Sequence, residues 1–238
     1  MIKLVSKTAI AVLSGVMLVM AASAAEAGSR PPIANAAPLH ACSAVTVPAA
    51  APKDVSTANG LAYMKTPQYR REFNAAINNA RQEVRKHLGE SNIAIVVDID
   101  ETLLDNSPYY RLHPSGYDAR SWHAWVDSAR TPVLKPTARL VAWARAHHVA
   151  VFLVTGRGDQ ERAHTIKNLL NGGVAYDGLY MRPSGNRSNA ETIKAELRRQ
   201  ISAMGFTIVV NIGDQYSDLA GPYALDCEKL PNKMYFIP

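Results

Sequence analysis

The sequence has little cysteine, with only 2 in 238 residues. Two cysteines cannot supply a disulfide framework or a four-cysteine zinc site, so both classes of protein are excluded. A dense run of Lys or Arg is also lacking, although these residues outnumber Asp and Glu by 26 to 20. The positive charge is scattered, and we expect no binding to a nucleic-acid polymer. With 47% hydrophobic and 19% charged residues, the composition is that of a folded protein.

The one long apolar stretch lies at residues 9–22, after Lys3 and Lys7. A stretch of this length is too short for a helix that crosses ~30 Å of hydrocarbon. Small residues in a small-x-small pattern follow it, so we predict that residues 1–27 are a cleaved secretory signal, with an uncleaved anchor as the alternative. The mature chain is then expected to be periplasmic or secreted, without stable membrane insertion.

Residues 28–56 contain five Pro and eight Ala in no regular period. Such a segment buries little surface, and we predict a flexible tether. Cys42 lies in this tether, and a disulfide between Cys42 and Cys227 can form in an oxidising compartment. The sequence leaves open whether the tether folds back far enough to form it.

Residues 57–238 show the alternation of elements that is typical of an α/β domain. Short apolar runs predict strands at residues 93–97, 149–154 and 207–210, and weaker runs do so at 179–181 and 234–237. Helical patterns between them start at Thr66-Pro67, span 136–147 and 160–170, and start again at a capping box opened by Ser188. This order predicts a Rossmann-like parallel sheet with helices on both faces.

Acidic residues follow two of the predicted strands, with Asp98 and Asp100 after the first and Asp214 and Asp218 after the strand at 207–210. Ligands of open α/β sheets bind at the carboxyl ends of the strands. Two like charges ~4 Å apart repel each other by roughly 4 kcal/mol, so a cluster of carboxylates needs a counterion. A site with oxygen ligands and without His or Cys favours Mg²⁺. Calcium fits this site less well, because the sequence has no dedicated loop that offers six to eight oxygen ligands.

Groups that suit a phosphate lie at the end of the second strand. Thr155 carries a hydroxyl, and the main-chain N–H groups that follow at Gly156 can hold phosphate oxygens. A metal beside carboxylates also suits phosphoryl transfer. Lys194 is the candidate for a cation supplied by the protein, although its spacing alone favours a solvated helix lysine.

Four segments, taken in order, resemble a known family. They are DIDETLLDN at 98–106, VFLVTGR at 151–157, NIGDQYSDL at 211–219 and KLPNKMYFIP at 229–238. The first three resemble the first, second and fourth motifs of the haloacid dehalogenase superfamily. All four together resemble its exported acid phosphatases of class B/C type, a group that includes plant vegetative storage proteins. The resemblance covers about residues 60–238 and implies the haloacid dehalogenase fold and hydrolysis of small phosphomonoesters.

The resemblance also implies catalytic roles. Asp98 would be the nucleophile that becomes an aspartyl-phosphate, and Asp100 would be the general acid and then the general base. Thr155 and Gly156 would bind phosphate. Lys194 has the spacing of the third-motif lysine of the family, which reverses the interpretation from spacing alone.

The same resemblance implies a ligand set for Mg²⁺. The Asp98 carboxylate, the Asp100 main-chain carbonyl and the Asp214 carboxylate would bind the ion directly. Asp218 would support these ligands without touching the ion, or would bind the ion through a water molecule.

An insert at about residues 106–132 separates the first two motifs, and in the family such an insert forms a small helical cap. It is rich in aromatic residues, namely Tyr109, Tyr110, Tyr117, Trp122 and Trp125. These rings can stack on a nucleobase or an aryl leaving group at ~1–3 kcal/mol per base. The alternative is that the two tryptophans only anchor the cap in the core.

Taken together, these features predict an exported Mg²⁺-dependent acid phosphatase, with nucleoside monophosphates and small aryl phosphates as candidate substrates. The alternative is a non-catalytic storage or phosphate-ligand-binding protein on the same fold. The presence of both Asp98 and Asp100 favours the enzyme, because inactive relatives lack the nucleophile. The oligomeric state stays open.

Overall fold

The structure is a computed structural model that describes Cys42 and residues 45–238. The predicted signal segment, residues 1–27, lies outside the described residues, as does much of the predicted tether. Among the residues that are described, no helix is both long enough and apolar enough to span a membrane.

Five parallel strands form one sheet in the order β3-β2-β1-β4-β5. Their bounds are β1 Ile93–Val97, β2 Ala150–Gly158, β3 Gly178–Arg182, β4 Thr207–Gly213 and β5 Asp226–Lys229. The predicted α/β architecture is confirmed. All five residues of β1 are buried, because β1 lies in the middle of the sheet and is covered on both faces.

Eight helices accompany the strands in the described part of the chain. They are α1 Thr57–Met64, α2 Pro67–Lys86, α3 Ser107–Leu112, α4 Ala119–Ser128, α5 Lys135–Ala146, α6 Arg162–Asn171, α7 Ala190–Ala203 and α8 Tyr216–Leu219. Thr66 caps α2 as predicted, since its hydroxyl accepts the Tyr69 N–H at 3.1 Å. The predicted capping box at Ser188 is wrong: Asn189 caps α7 and accepts the Thr192 N–H at 2.9 Å.

The hydrophobic core lies on both faces of the sheet because successive strand residues point to opposite sides. On one face Ile93, Ile95 and Val97 pack with residues of α2 and α5. On the other face Ala94 and Val96 pack with residues of α7. Each large apolar side chain that is fully buried contributes about 1.5–3 kcal/mol, so these two layers hold the strand ends rigidly.

The predicted strand at residues 234–237 is wrong, and β5 lies earlier in the chain. Met234 instead packs among cap aromatics such as Tyr110 and Trp122. Its N–H donates to Asn232 Oδ1 at 2.7 Å, and the Ile237 N–H donates to Gln215 Oε1 at 3.0 Å. The apolar residues of this segment therefore pack in a cluster of side chains. Side-chain oxygens accept the main-chain N–H groups that a neighbouring strand would otherwise bind.

The insert at residues 106–132 contains α3 and α4. Between them lie Pro114 and Gly116, and Gly116 has a φ of +98° that other residues rarely adopt. The helices pack through an aromatic cluster in which Tyr109 meets Trp122 edge to face at 5.2 Å between ring centres.

The described part of the segment before α1 returns to the sheet. Cys42 is fully buried and forms a disulfide with Cys227 of β5, with 5.3 Å between their Cα atoms. Further along, the Ser56 N–H donates to the Lys233 carbonyl at 2.9 Å. The pairing that the sequence left open is thus present.

Candidate active site

Three carboxylates meet at the carboxyl edge of the sheet. Asp98 follows β1, Asp214 follows β4, and Asp218 lies on α8. All three are buried, and one oxygen of each lies within 4.8 Å of the others. Three of the four aspartates expected at this edge are therefore brought together, and Asp100 is not part of this group.

Lys194 of α7 is the ammonium group inside this cluster. Only 5% of the residue is exposed, so it is not a solvated helix lysine. Its Nζ donates to Asp98 Oδ1 at 2.6 Å and also donates to Asp218 Oδ1. Burial opposes its charge, but Asp218 and Asp98 outweigh that penalty and raise the pKa of Lys194 above its ordinary value.

The cluster carries more negative than positive charge. Burial raises the pKa of Asp98 well above its ordinary range, Lys194 opposes the rise, and Asp218 and Asp214 add to it. Burial and then the charge of Asp218 raise the pKa of Asp214 to about 6. Three carboxylates with one ammonium leave oxygen donors and charge that a hard divalent cation would satisfy. The residues present thus fit a divalent metal ion.

The loop around Asp214 fixes the direction of its carboxylate. Asp214 Oδ2 accepts hydrogen bonds from Gln215 Nε2 and Asn232 Nδ2, both at 2.6 Å. Its Oδ1 accepts one from the Thr102 hydroxyl at 3.3 Å. Neutral donors from three segments therefore hold this carboxylate without cancelling its charge.

Asp218 lies directly against the end of β4. A Cβ atom at Gly213 would come within 2.4 Å of the Asp218 Cβ, so only glycine permits this approach. Asp218 Oδ2 accepts the Gln215 N–H at 2.8 Å. Arg198 supports the same turn from α7, since its Nη1 donates to the Asp218 carbonyl at 2.6 Å.

Asp100 lies in a separate set of contacts. Arg157 Nη2 donates to Asp100 Oδ1 at 2.7 Å, and Arg157 Nε lies 3.1 Å from both carboxylate oxygens. Asn106 Nδ2 donates to the same Oδ1 at 2.9 Å. Neither Arg157 nor Asn106 was among the predicted site residues. Arg157 stands at the end of the second motif, and that position is the signal that could have pointed to it.

The two predicted phosphate-binding residues after the second motif differ in exposure. Gly156 is exposed and lines the same cavity as Asp98 and Asp100. Thr155 is fully buried, and its hydroxyl oxygen accepts the Arg157 N–H at 3.1 Å. A hydroxyl that accepts one bond keeps its own proton for another acceptor.

Glu101 braces the loop that carries Asp100. It has a φ of +54° and is 3% exposed, and burial raises its pKa well above the ordinary value. One oxygen accepts the Asn106 N–H at 2.9 Å, and the other accepts the Tyr235 hydroxyl. The segment at residues 229–238 thus contributes directly to the site, which a prediction of a strand there could not show.

A cavity of about 620 Å³ opens over these groups. Its walls combine the carboxylates, three Lys and Arg side chains and aromatic rings, including Arg157, Arg182, Lys194, Tyr110, Tyr117, Trp122 and Tyr235. A larger groove of about 830 Å³ lies between the loop at residues 129–133, α5 and α6. None of the described residues that line it carries a carboxylate, so we assign the chemistry to the smaller cavity.

The cap aromatics both anchor the cap and face the cavity. Trp122 is 9% exposed and packs on Tyr109, whereas Tyr117 is 63% exposed at the cavity wall. Trp125 donates its indole N–H to Asn106 Oδ1 at 2.8 Å. On the same helix, His123 Nδ1 lies 2.7 Å from Glu161 Oε1, which connects the cap to the segment after β2.

Comparison with known proteins connects this geometry to a family. The sequence model described as HAD superfamily, subfamily IIIB (Acid phosphatase), matches residues 33–238. Acid phosphatase 1 of Solanum lycopersicum is 36% identical over 183 residues, which are 74% of this chain and 72% of that protein. Vegetative storage protein 1 of Arabidopsis thaliana is 29% identical over 60% of this chain and 55% of its own length.

The fold has a counterpart among solved structures. The class C acid phosphatase from Bacillus anthracis superposes with a TM-score of 0.65 at 21% identity. The match covers 76% of this chain and 85% of that one. The match shows that the two chains share the arrangement of sheet and helices.

Proposed function

Since this chain belongs to the subfamily IIIB acid phosphatases of the HAD superfamily and is thus a phosphomonoesterase, we propose that it works through an aspartyl-phosphate on Asp98. The observation that carries this proposal is the buried contact of Lys194 with Asp98 and Asp218. An ammonium at this position can hold a phosphate oxygen as well as the nucleophile. Lys194 engages Oδ1 of Asp98, so we assign the attack to Oδ2.

The reaction has two steps. In the first, the Asp98 oxygen forms a bond to phosphorus while the bond from phosphorus to the leaving oxygen breaks, and Asp100 gives that oxygen a proton. In the second, Asp100 takes a proton from a water molecule whose oxygen attacks the same phosphorus. The bond between Asp98 and phosphorus then breaks, and inorganic phosphate leaves.

Other groups of the chain hold the phosphate during both steps. Gly156 presents its main chain to the cavity, and Thr155 has a hydroxyl proton that its contact with Arg157 does not use. Lys194 supplies the positive charge from α7. These donors act in a partly closed cavity, where hydrogen bonds to developing charge are stronger than in water.

The proposed cofactor is Mg²⁺. The Asp98 and Asp214 carboxylates and the Asp100 main-chain carbonyl would hold it, with Asp218 acting through water. The excess of buried carboxylate oxygen supports this assignment. When bound, the ion neutralises phosphate oxygens, so that the Asp98 carboxylate can approach an anionic centre.

The proposed substrates are phosphomonoesters with a planar leaving group, including nucleoside monophosphates. Support comes from Tyr117, Trp122 and Tyr110 in the wall of the same cavity as Asp98. Aromatic rings stack on any base or aryl group without requiring a particular sequence of donors. A panel of phosphate esters that compares KM for nucleoside, aryl and simple alkyl phosphates would test this preference.

The proposed location is periplasmic or extracellular, after cleavage of residues 1–27. The disulfide between Cys42 and Cys227 supports this location, because disulfides persist mainly in oxidising compartments. Mass spectrometry of the protein purified from a host with a secretory pathway would show whether the signal has been removed.

The alternative of a storage protein draws support from relatives named as vegetative storage proteins. The complete set of Asp98, Asp100, Lys194 and Asp214 in one cavity favours catalysis instead. A protein that only stores amino acids has no need of a buried lysine paired with two carboxylates.

The decisive test is Asp98→Asn with 4-nitrophenyl phosphate and added Mg²⁺. We expect turnover to fall by roughly 10³-fold or more, with an unchanged circular dichroism spectrum. Asp159→Asn is the matched control, since Asp159 is exposed and pairs only with Arg162 among the described residues. Unchanged turnover in Asp98→Asn would refute the assignment of Asp98 as the nucleophile.

A further inference from the structure

The two oxygens of the Asp100 carboxylate have different surroundings. Oδ1 accepts hydrogen bonds from Asn106 Nδ2 at 2.9 Å and Arg157 Nη2 at 2.7 Å, and it shares Arg157 Nε at 3.1 Å. Oδ2 has only the shared contact with Arg157 Nε within the described part of the chain. Oδ1 is thus occupied by donors of the protein, and Oδ2 is the oxygen with capacity left for a substrate.

The orientation of the Asn106 amide is fixed from the cap. Asn106 is fully buried, and the two ends of its amide differ in that one donates and the other accepts. The indole N–H of Trp125 can only donate, and it lies 2.8 Å from the Asn106 oxygen. The NH₂ end of Asn106 must then face Asp100.

Trp125 itself is held by the contacts of α4. On the same helix, His123 contacts the buried carboxylate of Glu161 at 2.7 Å. The ring centres of Trp122 and Trp125 lie 5.2 Å and 6.3 Å from that of Tyr109. The indole N–H therefore has a defined position relative to the loop after β1. A side chain of the cap reaches the carboxyl group of Asp100 through one intermediate residue.

We infer that Trp125 is a positioning residue for proton transfer: through Asn106 it holds Asp100 so that Oδ2 faces the leaving group. This inference rests on the proposed role of Asp100. In the first step the Oδ2 proton moves to the leaving oxygen as that oxygen takes the electron pair of its bond to phosphorus. In the second step Oδ2 takes a proton from the attacking water.

A series of leaving groups tests this role. The substrates are glycerol 2-phosphate, phenyl phosphate, 4-nitrophenyl phosphate and 2,4-dinitrophenyl phosphate, in order of increasing acidity of the alcohol released. A poor leaving group needs the proton from Asp100, and a dinitrophenolate does not. For Trp125→Phe, which keeps a ring but loses the N–H, we expect kcat/KM to fall roughly 10–100-fold on glycerol 2-phosphate. The loss on 2,4-dinitrophenyl phosphate should be less than about twofold.

Four further variants make the result specific. Asn106→Ala should show the same dependence on the leaving group, and the double variant should be no worse than Asn106→Ala, because the two residues act as one unit. Trp125→His, whose ring can donate an N–H, should recover part of the loss. Trp143→Phe on α5 is the matched control, since Trp143 packs against Arg81 and His147. Its effect on kcat/KM should be the same for every leaving group in the series.

A loss that is equal for all leaving groups would overturn the inference and leave Trp125 with a packing role only. The inference would also be overturned if Trp125→His had a kcat/KM on glycerol 2-phosphate no higher than that of Trp125→Phe. Asp100→Asn separates this failure from failure of the proposed function. If Asp100→Asn itself lacks a loss that depends on the leaving group, the assignment of Asp100 is wrong, whatever Trp125 does.

Discussion

Arg157 and Asp100 form an ion pair although they are 57 positions apart, with 2.7 Å between Nη2 and Oδ1. The Arg157 side chain is 1% exposed and that of Asp100 is 18% exposed. Removing one partner of such a pair leaves a charge without compensation. The pair therefore connects the ends of β1 and β2 at the point where the chemistry takes place.

Arg157→Met should destabilise the protein by about 3 kcal/mol, at the lower end of the range for a broken buried pair because Asp100 retains some exposure. Arg157→Lys should recover part of this loss, since an ammonium keeps the charge but cannot form the forked contact. Urea unfolding curves measure both. Arg199→Met, in an exposed pair with Glu196, is the control and should change stability by less than about 1 kcal/mol. Equal losses in Arg157→Met and Arg199→Met would contradict the importance of the buried pair.

Chelation of divalent metal should abolish activity, and added Mg²⁺ should restore it. An ion that binds only the folded protein also stabilises it, by about 2.7 kcal/mol at a concentration 100 times its dissociation constant. Thermal unfolding with EDTA and with increasing Mg²⁺ measures this effect independently of turnover.

Asp214→Asn should weaken the effect of Mg²⁺ on the unfolding temperature, because it removes a buried carboxylate of the cluster. Asp127→Asn is the matched control, as the Asp127 side chain is 56% exposed and does not line the cavity. If the unfolding temperature does not respond to Mg²⁺ in the unaltered protein, the proposed metal site is refuted.

Local patterns in the sequence were sufficient to predict four of the five strands and the edge of the sheet at which the carboxylates lie. A strand buried on both faces, such as β1, has a continuous apolar run that is visible without any partner. The edge strand β5 has the sequence DCEK and only partly buried residues, so hydrophobicity could not reveal it. The apolar segment at residues 234–237 was mistaken for a strand because burial among side chains produces the same pattern.

The contacts that complete the site join residues far apart in sequence. The motif position of Arg157 does not show that it pairs with Asp100, and the contact of Trp125 with Asn106 has no signal in spacing. Each contact depends on how the cap and the strand ends pack. Lys194 needed a family resemblance, because a lysine inside a helix looks the same whether it is solvated or buried. The motifs thus predicted which charged residues belong to the site. The fold was needed to show which other residues orient those side chains.

Reduction of the disulfide between Cys42 and Cys227 should destabilise the protein by about 2–4 kcal/mol, because the bond joins residues 185 positions apart and restricts the unfolded chain. Urea unfolding with and without dithiothreitol measures the loss. The double variant Cys42→Ser/Cys227→Ser should match the reduced protein and show no response to dithiothreitol. Activity should persist in the folded reduced protein, since neither cysteine lines the cavity. Identical unfolding curves for the oxidised and reduced protein would contradict this prediction.

Glu228 of β5 should make stability fall as pH rises. Burial and then the charge of Asp226 raise the pKa of Glu228 to about 7, from an ordinary value of 4.5. Between these two values the folded protein keeps the Glu228 proton while the unfolded chain has lost it. Folding then binds a proton, so the free energy of unfolding decreases as pH rises through this window, and it stays reduced above the folded pKa.

Glu228→Gln removes this titration, so the stability of the variant relative to the unaltered protein should increase between about pH 4.5 and pH 7 and then level off. Urea midpoints measured across that range test the sign directly. The control is Glu196→Gln, because the contact with Arg199 lowers the pKa of exposed Glu196 to about 2. Glu196 is ionised in the folded protein throughout the window. The difference in stability between Glu196→Gln and the unaltered protein should therefore change little with pH there. A relative stability of Glu228→Gln that declines with pH would show that the carboxylate of Glu228 is stabilised by the fold, contrary to the effect of its burial.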